Sequence, residues 1–211
     1  ALDAFGDGVE RVIDLAEVNG RVFVNIASMG VYAKVVQSAE YRDAKIQTAA
    51  DMLPDILGPD AVPLDLRFTL PSGEVAETAQ LILVSNNAYE LHRLRGAGTP
   101  ARIDAGVLGI TSVRVRGAVD VEKLAALEAV GQVRRFSGWQ EWTAPEFEVR
   151  SDGPVEIGVD GEALSMQPPL RFTIRSAALT VRLPRSASGV SPAGQAARRS
   201  TRDTVPDLVR V

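Results

Sequence analysis

Apolar and polar positions alternate most clearly over residues 64–70, where Leu64, Leu66, Phe68 and Leu70 are separated by Asp65, Arg67 and Thr69. A period of two marks a half-buried strand. Pro71-Ser72-Gly73 reads as the turn that follows it. Residues 78–85, with Leu81-Ile82-Leu83-Val84 at their centre, read as a returning strand. Further strands are predicted over residues 21–25, after the turn signal Asn19-Gly20, and over 108–115, 147–151, 155–159, 170–174 and 179–183. The stretch 86–99, polar and rich in glycine, reads as a long loop.

Helical spacing appears in four places. Leu2, Phe5, Val9, Val12 and Ile13 predict a helix over 2–13, weakened by Gly6 and Gly8. The pattern turns helical again after Gly30, and a further stretch runs over 45–57 with Pro54 inside it. Residues 119–130 carry an apolar stripe of Leu124, Leu127 and Val130, with Asp120 as the expected N-cap. Such a stripe belongs to a helix packed on a sheet. Many short strands with close turn signals and a few helices predict a mostly β, α+β fold with a sandwich-like sheet layer. The packed region is expected to end at Pro184. Residues 185–211 open on a run rich in Ala, Ser, Gly and Arg that reads as a flexible tail. The chain begins on Ala1 in mid-pattern, so a fragment or a processed product is expected, with residues 1–15 as a helix belonging to another domain.

Composition narrows the function classes. The 211 residues suffice for one large domain. A formal net charge of -4 argues against a dedicated nucleic-acid binder, so no nucleic-acid partner is expected. There is no cysteine, hence no disulfide framework and no thiolate site, and the lone His92 excludes a His-rich zinc site. No apolar run reaches membrane-spanning length and no signal-peptide pattern opens the chain, so a cytoplasmic location is the default.

Three stretches carry candidate chemistry: Val155-Glu156-Ile157-Gly158-Val159-Asp160-Gly161-Glu162, Asn25-Ile26-Ala27-Ser28-Met29-Gly30, and Ala101 onward through Asp104-Ala105-Gly106-Val107-Leu108. Asp160-Gly161 is a hairpin-turn signal that holds two carboxylates, Asp160 and Glu162, at a strand end, where they take a proton or face a cation. Asn25 is expected to end a strand and Gly30 to open a helix, whose N-terminus favours anions. Arg93 and Arg95 in the 86–99 loop suit a phosphate or a lipid headgroup, or stand solvated on the surface. Trp139 and Trp142 suit a lipid contact or core packing.

Together these stretches resemble the C-terminal half of the diacylglycerol kinase catalytic-domain family. The runs LAEVNGRVFVN, SMGVYAK and LILVSNNAYELHRLRGAG fit its actinobacterial type. The resemblance covers roughly residues 19–184. It implies the β-sandwich, C-terminal domain of a lipid kinase whose nucleotide-binding domain, with its Gly-Gly-Asp-Gly-Thr loop, is absent from this sequence. Glu162 then matches the general base, Asp160 shapes the turn or orients Glu162, and Asn25 and Gly30, near the domain junction, are expected with Arg93 and Arg95 to bind the cofactor. Asp104 matches a magnesium loop that here lacks acidic residues at Ala105 and Gly109. The implied cofactors are ATP and magnesium, and the implied partners a lipid hydroxyl substrate and an upstream nucleotide-binding domain. Peripheral membrane contact and a homodimer stay open. The isolated chain is expected to be inactive. The alternative is a non-catalytic lipid- or protein-binding module with a decayed metal site.

Overall fold

A computed structural model describes residues 5–6, 8–30, 64–91 and 99–184. Twelve strands and one α-helix fill those stretches. The strands are β1 (Gly8–Val18), β2 (Arg21–Phe23), β3 (Ile26–Gly30), β4 (Phe68–Thr69), β5 (Val75–Ala76), β6 (Leu81–Asn86), β7 (Leu108–Val113), β8 (Trp139–Ala144), β9 (Glu146–Val149), β10 (Val155–Val159), β11 (Glu162–Met166) and β12 (Leu170–Pro184). The helix α1 is Ala118–Ala129, followed by a 3-10 turn at Val133–Arg135. A four-stranded sheet has the order β2-β1-β12-β9, and a six-stranded sheet the order β11-β10-β3-β6-β7-β8. Every pairing within them is antiparallel.

The core lies between the two sheets. Ala16, Val18, Phe23, Phe147 and Phe172 face it from one side, and Met29, Ile82, Val84, Ile110 and Ile157 from the other. The β4–β5 hairpin adds Phe68 and Ala76 to the same cluster. The outer face of the six-stranded sheet is covered as well, where Leu81, Val113 and Trp139 pack with Leu124 of α1 and with Val133 and Phe136. Strand β6 is therefore buried on both faces, which accounts for the unbroken Leu-Ile-Leu-Val run at its start.

Several sequence expectations are corrected. The predicted helix over 2–13 is strand β1 from Gly8 onward, because its residues pair with β12: Val9 with Leu183 and Ile13 with Leu179. A partner so distant in sequence overrides the local helical spacing. The two strands expected over 170–174 and 179–183 form one strand of 15 residues, interrupted by a register shift at Ile13/Leu15 with Ala177 at φ 53°. Residues 64–70 do not pair with 78–85. The hairpin around Pro71–Gly73 joins only β4 to β5, and β6 lies between β3 and β7 in the six-stranded sheet. The N-cap of α1 is Gly117, not Asp120; the Asp120 carboxylate in the first turn accepts the Arg116 N–H at 3.0 Å. Leu124 faces the sheet as expected, but Val130 lies past the helix end and is exposed. The expected helices over 31–57 and the tail over 185–211 lie outside the described residues.

Candidate functional site

The hairpin β10–β11 turns on two residues, Asp160 at φ 49° and Gly161 at φ 89°. Positive φ at both central positions makes a type I′ turn, whose twist matches the flanking strands. The turn is also tied sideways. The Asp160 carboxylate accepts three backbone N–H groups of the β2–β3 connection: Val24 on Oδ2 at 2.7 Å, and Asn25 and Ile26 on Oδ1 at 2.8 and 3.2 Å. Its own N–H donates to the Ile26 carbonyl at 3.0 Å. Asp160 thus fixes the turn against the start of β3.

Glu162 opens β11 opposite Val159 and remains 68% exposed. Its carboxylate pairs with Arg21 at 2.5 Å, across from the edge strand β2 of the other sheet. Sequence reading passed over Arg21, because nothing local links it to a carboxylate 141 residues away. Tyr89 lies toward the same end. Burial raises its phenol above the ordinary value, and the charge of Asp160 adds to the shift.

Asn25 contributes through its backbone: its N–H binds Asp160 and its carbonyl accepts the Asn86 N–H at 2.9 Å. It follows β2 and precedes β3, so residues 25–30 are mostly strand. Gly30 ends β3, which places it about 13 Å along the strand from Ile26 and away from Asp160. Its φ is 88°, and a Cβ there would stand 2.3 Å from the Gln80 carbonyl oxygen, so glycine is required by close backbone approach. Arg93 and Arg95 lie outside the described residues.

Asp104 is exposed and engaged by Arg102, Nε to Oδ1 at 3.0 Å. Its loop is pinned from beneath. Ala105 N–H donates to Asn87 Oδ1 at 2.8 Å and Gly106 N–H to Asp14 Oδ2 at 2.7 Å. Gly109 has no room for a side chain: a Cβ would lie 2.5 Å from Ser85 Oγ and 2.7 Å from Ala88 Cα. A carboxylate side chain does not fit there by simple substitution. Among the described residues no three His, Cys, Asp or Glu side chains gather where they could hold a metal. Asp104 offers one ion-paired carboxylate, and magnesium is commonly held by one or two carboxylates together with waters and substrate phosphates.

The tryptophans take the packing role. Trp139 is buried under α1. Trp142 meets Phe68 and Phe147 at ring-centroid distances of 6.3 and 5.7 Å. These three rings line a cleft of about 550 Å³. It borders β8, four strand spacings or about 19 Å from β10.

A two-sheet β-sandwich with a helical cover, carrying an acidic turn at one end, is the class this geometry defines. No family model matches the sequence. The fold is shared with solved structures from Bacillus anthracis str. Sterne. Two are of a protein provisionally named a diacylglycerol kinase, at 21% identity and a TM-score of 0.58, and at 19% and 0.57. A third, named a diacylglycerol kinase, matches at 19% and 0.54. Each match covers 82% of this chain but only 56 or 57% of the other. The chain therefore spans little more than half the length of those proteins, and the likeness is one of fold. No helix among the described residues is long and apolar enough to cross a membrane.

Proposed function

We propose that this chain is the substrate-side domain of an ATP-dependent lipid kinase. The observation that carries the reading is the turn itself: Asp160, clamped by three backbone N–H groups, presents Glu162 exposed at the rim of a fold shared with proteins named diacylglycerol kinases. ATP is held by an upstream nucleotide-binding domain, and the acceptor is the hydroxyl of a diacylglycerol-like lipid. As the hydroxyl oxygen bonds to the γ-phosphorus, the bond from that phosphorus to the β–γ bridging oxygen breaks, ADP leaves, and the hydroxyl proton passes to Glu162. Arg21 orients the Glu162 carboxylate until the acceptor displaces it. No step is assigned to magnesium on this chain.

A non-catalytic lipid- or protein-binding module is the second reading. It is favoured by Asp104 being taken up by Arg102 and by the closed space at Gly109. Transfer of labelled γ-phosphate from ATP to diacylglycerol in detergent micelles separates the two. The complete natural polypeptide is expected to transfer and the 211-residue chain alone is not. No transfer by the complete polypeptide over a panel of lipid hydroxyls would leave the module.

A further inference from the structure

Asp14 interrupts an apolar run, is 3% exposed, and has no part in the proposed reaction. Burying a carboxylate is costly unless its oxygens are bonded. Here its polar groups are held by three different segments. Oδ1 accepts the Ala177 N–H of β12 at 2.8 Å, and Oδ2 accepts the Gly106 N–H at 2.7 Å. The Asp14 N–H donates to the Ile103 carbonyl at 2.8 Å, and its own carbonyl accepts from Asn86 Nδ2 at 2.9 Å.

The bonds do not stop there. Asn86 Nδ2 also donates to the Val24 carbonyl at 3.0 Å, and the Asn86 N–H to the Asn25 carbonyl at 2.9 Å. Val24 and Asn25 are two of the three residues whose N–H groups clamp Asp160. Asn87 closes a second path, donating to Asn86 Oδ1 at 3.2 Å while accepting the Ala105 N–H at 2.8 Å. A continuous set of hydrogen bonds therefore runs from the Asp104 loop to the Asp160 turn. Asp14 stands where it meets the β1–β12 ribbon, at the register shift beside Ala177.

We propose that Asp14 is a positioning residue that registers the Asp104 loop and the β1–β12 ribbon against the Asp160–Glu162 turn, so that both halves of the rim hold one geometry. An apolar residue at position 14 would pack the two sheets but would fix neither Gly106 nor Ala177. A fully bonded buried network specifies one arrangement where apolar contacts tolerate several. The catalytic consequence rests on the kinase reading; the mechanical coupling does not.

Residue-resolved amide hydrogen exchange on the full chain tests the coupling. In Asp14→Asn, exchange at Gly106 and Ala177 is expected to quicken about tenfold or more, and exchange at Val24, Asn25 and Ile26 to quicken with it, while the β6–β7 amides other than Asn86 keep their rates. Acceleration confined to Gly106 and Ala177 would overturn the inference. If Asp14→Asn does not fold, the reverse perturbation decides, since coupling is reciprocal. Asp160→Asn then quickens Gly106 and Ala177 if the inference holds, and leaves both unchanged if it does not. In the complete polypeptide, Asp14→Asn lowers kcat with the KM for ATP unchanged. Absence of transfer by the wild-type polypeptide would remove the kinase reading and leave the exchange result standing.

Discussion

Substitutions at Asp160 isolate what the carboxylate clamp contributes. Asp160→Gly removes the acceptor for Val24, Asn25 and Ile26 but leaves a backbone at φ 49° relaxed. The turn is exposed, so water takes over much of each bond. A capping carboxylate in a comparable setting contributes about 0.5–2 kcal/mol, and about 1–2 kcal/mol is expected here for three donors. Asp160→Ala loses the same bonds and must also hold a Cβ in the left-handed region, which costs about 1 kcal/mol more. Asp160→Asn tolerates that conformation and keeps Oδ1 for Asn25 and Ile26. It loses only the Val24 bond, worth about 0.5–1 kcal/mol. The predicted order of destabilisation is Asn, then Gly, then Ala. Urea unfolding of the four chains, compared through their midpoints at a common m-value, measures it. Losses all within about 0.3 kcal/mol, or Gly costing more than Ala, would refute the reasoning.

Gly109→Ala is expected to destabilise by about 1–3 kcal/mol, because the Ala88 backbone cannot yield to a new Cβ; urea unfolding reads this directly. Glu148, held by Arg171 and then by Arg150, titrates below its ordinary value of 4.5. A depressed carboxyl stabilises fully above its unfolded pKa, and that contribution is lost as pH falls through the lower folded value. The stability gap between wild type and Glu148→Gln should therefore be constant above about pH 5 and shrink on acidification; a gap independent of pH would contradict it. Asp160→Asn should lower the phenol pKa of Tyr89 but leave it above 10.0, since burial is the larger cause. Ultraviolet titration, with Tyr89→Phe to assign the transition, would show no movement if Asp160 does not act on that ring.

What could be read from the chain was local. The strand Val155–Val159, the Asp160-Gly161 turn and α1 each carry their signal within a few residues, and the structure places them close to the expected bounds. Strand β8 escaped because it is engaged on both faces: Trp139 packs outward under α1 and Trp142 inward on Phe68 and Phe147, so no alternation shows. Strand β11 escaped because it is a mostly exposed edge. Strand β1 was misread because the partner that makes it a strand lies at the other end of the described chain. The same distance hid the network around Asp14, whose bonds span 72, 92 and 163 residues. A lone carboxylate inside Val12-Ile13-Asp14-Leu15-Ala16 was the only local sign of it.

In the reaction we propose, the Asp160–Glu162 turn performs proton transfer in phosphorylation of a lipid hydroxyl. Steady-state transfer of labelled γ-phosphate to diacylglycerol by the complete natural polypeptide, beside its Glu162→Gln variant, tests this most directly. A positioned general base contributes about 10²–10⁴-fold, so kcat should fall by about a hundredfold or more while the KM for ATP stays unchanged. A variant that transfers phosphate at the wild-type rate would contradict the assignment of Glu162.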